Sequence, residues 1–153
     1  MLNILRTNFQ NSDFVELVHQ LDAFLAITDG NQHDFYNQFN KIDKIDHVIV
    51  IYEDKIPIAC GAIKQIDGVV WEIKRMYTIE QARGKGMASK LLLELESWAR
   101  EIEVETLVLE TGKRQVEAVG LYKKNHFEVI ENYGQYANVE NSICFQKRIG
   151  LKK

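Results

Sequence analysis

The stretch that most constrains this chain runs from Arg75 to Ile102 and predicts a strand, a glycine-rich turn and a helix. After Gly86, apolar residues recur at the three- and four-residue spacing of a helix with one buried face. These positions are Ala88, Leu91, Leu92, Leu95, Trp98, Ala99 and Ile102. Polar and charged residues occupy the opposite face, and no proline interrupts the run. The pattern therefore predicts an amphipathic helix that begins directly after the glycines.

The two glycines before this helix favour an anion site. The first NH groups of a helix have no intrahelical partner and carry a partial positive charge. Gly84 and Gly86 allow unusual backbone torsions and the close approach of a phosphate. Arg83 and Lys85 add two mobile positive charges to the same turn. A pyrophosphate suits such a turn, and the alternative from these residues alone is a tight turn with a solvated lysine.

Composition bounds the number of domains and excludes several classes of function. A chain of 153 residues with 46% hydrophobic content is long enough for one domain with a real core. The net charge of -3 and the absence of a basic block longer than Lys123-Lys124 argue against nucleic-acid binding. No apolar run approaches a membrane span or a signal peptide. We therefore expect a single cytoplasmic domain over residues 1–153, with neither nucleic acid nor membrane as a partner.

The cysteines and histidines do not predict a metal site. Cys60 and Cys144 are isolated thiols inside apolar, strand-like runs, so they are interpreted as small buried hydrophobic residues. His19, His33 and His47 share no ligand spacing. Neither cysteine is expected to be a nucleophile.

The N-terminal part predicts one short strand and two helices. Residues 2–7 form the strand. The first helix begins at Ser12 or Asp13, with Glu16 as the partner in a capping box. A second, shorter helix is predicted over residues 35–41.

Three antiparallel strands come next, because the apolar pattern changes to a period of two. They are predicted at residues 47–52, 58–63 and 69–77. Asp67-Gly68 is a strong signal for the tight turn before the third strand. Trp71 and Ile73 alternate in phase, but Met76 falls one residue out of step, which predicts a bulge around residues 74–76.

The strand after the central helix, residues 106–110, should lie parallel to residues 70–77, because a helical crossover joins them. Ligands gather beyond the carboxyl ends of such strands, where Tyr77 and Glu110 lie. A helix over about residues 115–125 and two last strands, 127–133 and 142–149, complete the chain. The predicted fold is α/β (α+β), a mixed sheet of six to seven strands with about four helices, in the order β-α-α-β-β-β-α-β-α-β-β.

Two motifs lie one strand apart: Gln81-x-x-Gly84-x-Gly86 followed by Met87-Ala88, and Ala118-x-x-Leu121-Tyr122-x-x-x-x-Phe127. The first resembles the acetyl-coenzyme A signature of the GNAT superfamily of N-acetyltransferases. The second lies where that superfamily has a motif with a catalytic tyrosine. Two positions depart from the pattern: Gln115 replaces a common asparagine, and His126 replaces the glycine before Phe127. The second departure predicts that Asn125 takes the left-handed turn out of the helix.

The resemblance implies a single GNAT-like domain that moves an acetyl group from acetyl-coenzyme A to a primary amine. It places the pyrophosphate on the amides of residues 83–88 and the pantetheine beside residues 76–78. The implied co-substrate residues are Met76, Tyr77, Thr78, Gln81, Ala82, Arg83, Gly84, Lys85, Gly86, Met87, Ala88, Gln115 and Lys124.

The chemistry requires a neutral amine, a stabilised oxyanion and a protonated leaving thiolate. The resemblance suggests Glu72 as the base and Tyr122 as the acid, with an amide near Met76 or Tyr77 as donor to the thioester oxygen. Glu110 is a weaker alternative base. The structural alternatives are an outward-facing strand charge for Glu72 and a core aromatic for Tyr122.

Other classes of function fit less well. A dinucleotide-binding oxidoreductase would need Ser89 as its third small residue, and the strand before the turn belongs to an antiparallel meander. A GNAT-like domain that binds acyl-coenzyme A without turnover is the remaining alternative. The acceptor stays open among a small metabolite, a peptide amino terminus and a lysine side chain, and a homodimer is compatible with the sequence. The aromatic residues Tyr36, Phe39, Tyr133 and Tyr136 line the acceptor pocket or fill the core.

Overall fold

The computed structural model describes residues 1–29 and 44–150, which form a mixed seven-stranded sheet with helices on both faces. The strands are β1 (Leu2–Thr7), β2 (His47–Glu53), β3 (Ile56–Asp67), β4 (Val70–Thr78), β5 (Thr106–Gly112), β6 (Glu128–Ile130) and β7 (Ser142–Arg148). Their spatial order is β1-β2-β3-β4-β5-β7-β6. The helices in these ranges are α1 (Ser12–Asp29), α2 (Met87–Glu101) and α3 (Val116–Lys124). The predicted fold class is confirmed, and the helix predicted over residues 35–41 lies outside the described residues.

Helix α1 begins at Ser12, but the predicted capping box is wrong. Asn11 is the residue that caps the helix, because its side-chain Oδ1 accepts a hydrogen bond of 2.8 Å from the amide of Phe14. Phe14, Leu17 and Val18 are buried against β2 and β3 on one face of the sheet. This packing anchors α1 on the face opposite α2.

Helix α2 buries the face that its sequence predicts. Leu91, Leu92, Leu95 and Ala99 are fully buried and belong to the main hydrophobic cluster. Burial of apolar surface contributes ~1.5–3 kcal/mol for each large aliphatic side chain. The packing therefore fixes the start of α2, and with it the glycine turn, against the sheet.

The predicted bulge in β4 is confirmed. Cys60 pairs with Tyr77, but Ala62 pairs with Lys74, so β4 contains an extra residue between these two pairs. Arg75 has a φ of 63°, a left-handed value that a non-glycine residue adopts only at an energetic cost. The extra residue returns Met76 to the face on which α2 packs.

Gly61 of β3 faces this bulge and leaves room for Met76. A Cβ at Gly61 would lie 2.7 Å from Met76 Sδ and 3.2 Å from Leu95 Cδ1. We therefore expect Gly61→Ala to lower the free energy of unfolding by ~1–3 kcal/mol, because it overpacks the junction of β3, β4 and α2. Urea unfolding would measure the change.

Gly120 in α3 supplies the matched control, because a Cβ there meets nothing within 4 Å. Gly120→Ala should raise the free energy of unfolding by ~0.5–1 kcal/mol, since alanine loses less backbone entropy on folding. Equal stability of Gly61→Ala and the wild type would show that Met76 can move aside without cost.

The parallel strands β4 and β5 pair over only three residue pairs. Pairing begins at Val70 with Thr106 and ends at Glu72 with Val108, although β4 continues to Thr78 and β5 to Gly112. Antiparallel pairing with β7 holds β5 over its whole length. The carboxyl-terminal halves of β4 and β5 therefore separate and leave a gap in the sheet.

The end of α3 differs from the prediction. His126 has a φ of 75° and is itself the left-handed residue, whereas Asn125 keeps a φ of −95°. Asn125 instead connects two helices: its Nδ2 donates to the carbonyl of Leu121 at 2.9 Å and to Ser89 Oγ at 3.2 Å. The contact holds α3 beside the first turn of α2.

The two cysteines are buried free thiols, as predicted. Burial raises the pKa of Cys60 to about 12 and that of Cys144 to about 11, so both stay protonated at neutral pH. No helix in the described ranges has both the length and the apolar character of a membrane span.

Candidate active site

A cleft of about 500 Å³ opens at the carboxyl ends of β4 and β5, where the sheet separates. It is lined by residues from α1, β4, the glycine turn, α2, β5 and α3. Most predicted site residues lie on its wall: Glu72, Met76, Tyr77, Thr78, Ala82, Arg83, Gly84, Gly86, Met87, Ala88, Gln115, Tyr122 and Lys124. Gln81 and Lys85 do not line the cleft, and both are exposed. The fold thus brings together two motifs and one strand that are distant in sequence.

The glycine turn has the backbone shape that an anion site requires. Gly84 and Gly86 have φ values of 79° and 82°, in the left-handed region that favours glycine. Gly86 is the N-terminal cap of α2, so the free amides of the first helical turn follow it directly. A Cβ at either glycine would meet nothing within 4 Å, so the space above the turn is open. These residues fit the phosphates of a nucleotide-like group.

The side chain of Arg83 is held in place rather than mobile as predicted. Its Nε donates a hydrogen bond of 2.8 Å to the carbonyl of Thr78. Its guanidinium lies over the rings of Phe24 and Tyr77, at 5.1 Å and 5.6 Å from their centroids. The positive charge is therefore fixed between α1 and the end of β4.

Glu72 is a buried carboxylate, so the alternative of an outward-facing charge is wrong. Its side chain is 10% exposed and lies on the wall of the cleft. Oε2 accepts a hydrogen bond of 2.6 Å from the Tyr133 hydroxyl, and Lys74 Nζ lies 3.4 Å from Oε1. Burial and then the charge of Glu72 raise the pKa of Tyr133, which keeps this phenol protonated as a donor. Tyr133 and Lys74 fix the orientation of the carboxylate.

Glu110, the alternative base, lies on the wall of the same cleft. Ser142 Oγ donates a hydrogen bond of 2.7 Å to its Oε2. Ser142 is buried, so this contact is sheltered from water. The cleft therefore contains two oriented carboxylates, one from each separated strand.

Tyr122 is both part of the core and part of the cleft wall. Its side chain is buried, with ring centroids 5.8 Å from Phe127 and 5.7 Å from Phe145. Burial, followed by the negative charge of Glu110, raises the pKa of Tyr122. The phenol therefore carries its proton at neutral pH, on a ring whose position the aromatic contacts fix.

The sequence did not indicate three residues that shape this site: Arg75, Tyr133 as the partner of Glu72, and Ser142 as the partner of Glu110. Tyr133 and Ser142 belong to the C-terminal part, which carries no motif. Arg75 lies within the predicted bulge. Because a bulge reorients a side chain and often lies beside an active site, the predicted bulge could have indicated Arg75 as a site residue.

With this geometry established, comparison with known proteins gives the family. A family model described as the acetyltransferase (GNAT) family matches residues 11–127. The chain belongs to the GNAT acetyltransferase family. It is therefore an acyltransferase with acetyl-coenzyme A as co-substrate, and the dinucleotide-binding oxidoreductase alternative is excluded.

Among curated relatives, the IAA acetyltransferase of Azospirillum brasilense is 29% identical over 135 residues, covering 87% of this chain and 88% of that protein. The uncharacterized N-acetyltransferase YjgM of Escherichia coli is 30% identical over 113 residues, covering 72% of this chain and 66% of the relative. Both alignments extend over most of this chain.

Solved structures show the same fold. A candidate acyl-CoA N-acyltransferase of Klebsiella pneumoniae superimposes with a TM-score of 0.81 at 26% identity, covering 97% of this chain and 98% of the other. The paiA N-acetyltransferase of Thermoplasma acidophilum, in complex with coenzyme A, has a TM-score of 0.72 at 16% identity and covers 97% and 99%. The second likeness concerns the fold alone.

Proposed function

We propose that this protein transfers an acetyl group directly from acetyl-coenzyme A to a primary amine, with Glu72 as general base and Tyr122 as general acid. One observation carries the proposal: a single cleft contains the left-handed glycine turn, the separated ends of β4 and β5, a buried carboxylate and a buried phenol. The glycine turn suits the phosphates of acetyl-coenzyme A, and the gap between β4 and β5 suits its narrow pantetheine chain.

The residues divide the proton transfers between them. The thioester of acetyl-coenzyme A supplies an activated acetyl group, and transfer requires that the amine nitrogen lose a proton and that the leaving sulfur gain one. Glu72 accepts the first proton, directly or through water, while Tyr133 and Lys74 hold its carboxylate. Tyr122 of α3, which also lines the cleft, donates to the sulfur. An amide of the bulged segment near Met76 or Tyr77 supplies the donor for the carbonyl oxygen.

A thiol-release assay tests the proposal. Purified protein and acetyl-coenzyme A are mixed in turn with small amines, peptide amino termini and peptides with lysine side chains. We expect thiol release that depends on the amine, together with an N-acetylated product seen by mass spectrometry. Coenzyme A binding without release in all three classes would favour the non-catalytic binding domain.

The proposal also predicts that the glycine turn controls co-substrate affinity. Gly84→Asp and Gly86→Asp place a side chain and a negative charge in the open space above the turn, so each should raise the Kd for coenzyme A by about 10-fold or more. Isothermal titration calorimetry measures this change.

Gly68→Asp is the control that separates a direct loss of coenzyme A affinity from the effect of backbone strain at a left-handed glycine. Gly68 also has a left-handed φ, 56°, and open space around its missing Cβ, but it lies in the β3–β4 turn outside the cleft lining. Gly68→Asp should leave coenzyme A affinity unchanged. Unchanged affinity in folded Gly84→Asp and Gly86→Asp would instead reject this phosphate site.

A further inference from the structure

Arg75 is a buried arginine whose charge is poorly satisfied within the described part of the chain. Its side chain is 2% exposed. Nε, Nη1 and Nη2 are all buried without a hydrogen-bond partner. The carboxylate of Asp22 on α1 lies 3.6 Å from Nη1, which is ion-pair distance but too long for a good hydrogen bond. A buried guanidinium normally has its donors filled, because burial of an unpaired charge is costly.

The backbone at Arg75 adds a second cost. Its φ of 63° is a left-handed value at a non-glycine residue, in the middle of a sheet strand. The bulge that returns Met76 to the α2 face would form more readily with glycine at this position. A strained backbone and an unsatisfied charge therefore coincide at one residue, and such coincidences cluster at functional sites.

The position of Arg75 connects this charge with the proposed chemistry. Arg75 lies on the wall of the cleft, three residues after Glu72 on the same strand. Its guanidinium lies beside Asp22 of α1, so it is on the α1 side of the sheet, away from the face on which α2 packs. Burial lowers the pKa of Arg75 while the charge of Asp22 acts in the opposite direction, and an arginine stays protonated at neutral pH in either case.

We propose that Arg75 binds a carboxylate of the acceptor, so that the acceptors of this enzyme are small amines that also carry a carboxylate, such as amino acids. The inference rests on the proposed function, because it assigns the acceptor class of that same cleft. A guanidinium presents parallel NH groups that match the two oxygens of a carboxylate. The acceptor carboxylate replaces Asp22 as the ion-pair partner of the guanidinium. The Asp22 side chain is 35% exposed, so water can solvate it after the exchange.

Pairs of amines that differ only by a carboxylate test this inference. Each pair contains an amino acid and the amine that it would give on loss of carbon dioxide, such as tryptophan with tryptamine and ornithine with putrescine. In the pair that the wild type acetylates most efficiently, kcat/KM should be at least about 10-fold higher for the amino acid than for the amine without the carboxylate. Arg75→Met should lower kcat/KM for that member by ~10- to 100-fold, mainly through KM, since a hydrogen-bonded ion pair is lost.

The control variant is Arg148→Met, because Arg148 is exposed at the end of β7 and does not line the cleft. It should keep the wild-type preference. Coenzyme A affinity of Arg75→Met should stay within about twofold of wild type by calorimetry. A large loss of coenzyme A affinity would assign Arg75 to the phosphates of the co-substrate and overturn the proposal.

Thermal unfolding separates a binding arginine from a structural one. Arg75→Met keeps the same backbone strain but removes the buried charge, so its Tm should equal or exceed that of the wild type. A clear fall in Tm, matched by a similar fall in Asp22→Asn, would identify a structural ion pair instead. If Arg75→Met does not fold, Arg75→Lys is the second variant. Lysine keeps the positive charge but lacks the paired NH groups that match a carboxylate, so it should still reduce the preference for the carboxylated member.

The outcomes distinguish this inference from the proposed function. Thiol release with both members of every pair and no preference would reject the carboxylate subsite alone. If neither member of any pair and no amine of the broader screen gives thiol release, the transferase mechanism is rejected and the carboxylate subsite with it. In addition, an amine-free carboxylate such as 3-phenylpropionate should compete with the acceptor in the wild type. The same carboxylate should compete at least about 10-fold less well in Arg75→Lys.

Discussion

Glu72→Gln is expected to lower kcat by ~10²- to 10⁴-fold, the usual contribution of a general base, while coenzyme A affinity stays nearly unchanged. Glutamine keeps the shape of the side chain but cannot accept a proton from the amine. Steady-state kinetics would show the loss in kcat, and calorimetry would show the intact co-substrate site.

The fold should tolerate this substitution. The carbonyl oxygen of the new glutamine side chain can still accept from Lys74, and its amide can donate to the oxygen of Tyr133, so both buried contacts retain a partner. Glu96→Gln is the matched control: Glu96 is also buried and paired with a lysine, at 3.0 Å from Lys147 Nζ, but it lies outside the cleft lining. Its kcat should not change.

Glu110→Gln decides between the two carboxylates. Glu110 lines the same cleft and is oriented by Ser142, so it would take the role of base if Glu72 is structural. Wild-type activity and an unaltered pH profile in Glu72→Gln, together with a large loss in Glu110→Gln, would transfer the assignment. A large loss in Glu72→Gln alone supports the mechanism as proposed.

The sequence predicted the fold well because its signals are local and periodic. The α2 face from Leu91 to Ala99 repeats at helical spacing, and the residues with that spacing are the ones buried. The bulge could be predicted because Met76 breaks an alternation that Trp71 and Ile73 establish. The cap of α1 was missed because Asn11, Ser12 and Asp13 are all good capping residues, and only the hydrogen bond from Phe14 selects among them.

The contacts that complete the site were harder to predict from the sequence, because they join residues that are far apart along the chain. Glu72 and Tyr133 are 61 positions apart and meet only when the sheet forms, since neither residue belongs to a motif that specifies the other. The contact of Arg75 with Asp22 likewise depends on how α1 packs on β4. The glycine turn is the exception, because the torsions of Gly84 and Gly86 follow from local residue type.

Tyr122→Phe is expected to lower kcat by about 10²-fold, because it removes the hydroxyl that we propose as the donor to the leaving sulfur and keeps the ring. The ring contacts with Phe127 and Phe145 should survive, so Tm and coenzyme A affinity should move little. Tyr52→Phe is the matched control. It removes a hydroxyl that donates to Asp13 at 2.7 Å outside the cleft lining, so it should leave kcat unchanged.

The raised pKa of Tyr122 limits how this phenol can act. Burial and the charge of Glu110 make it a weaker acid than free tyrosine, whose pKa is ~10, whereas an ordinary thiol has a pKa of ~8.5. Complete proton transfer from this phenol to a free thiolate is therefore uphill, so in the proposed mechanism Tyr122 donates to the sulfur while charge develops on it, and the released thiolate takes its proton from water. Tyr122 should then add no basic limb to the kcat/KM profile below about pH 10. A basic limb near neutral pH that is present in the wild type and absent in Tyr122→Phe would contradict this assignment. So would a Phe variant with full turnover and lower Tm, the result expected of a tyrosine that serves only the core.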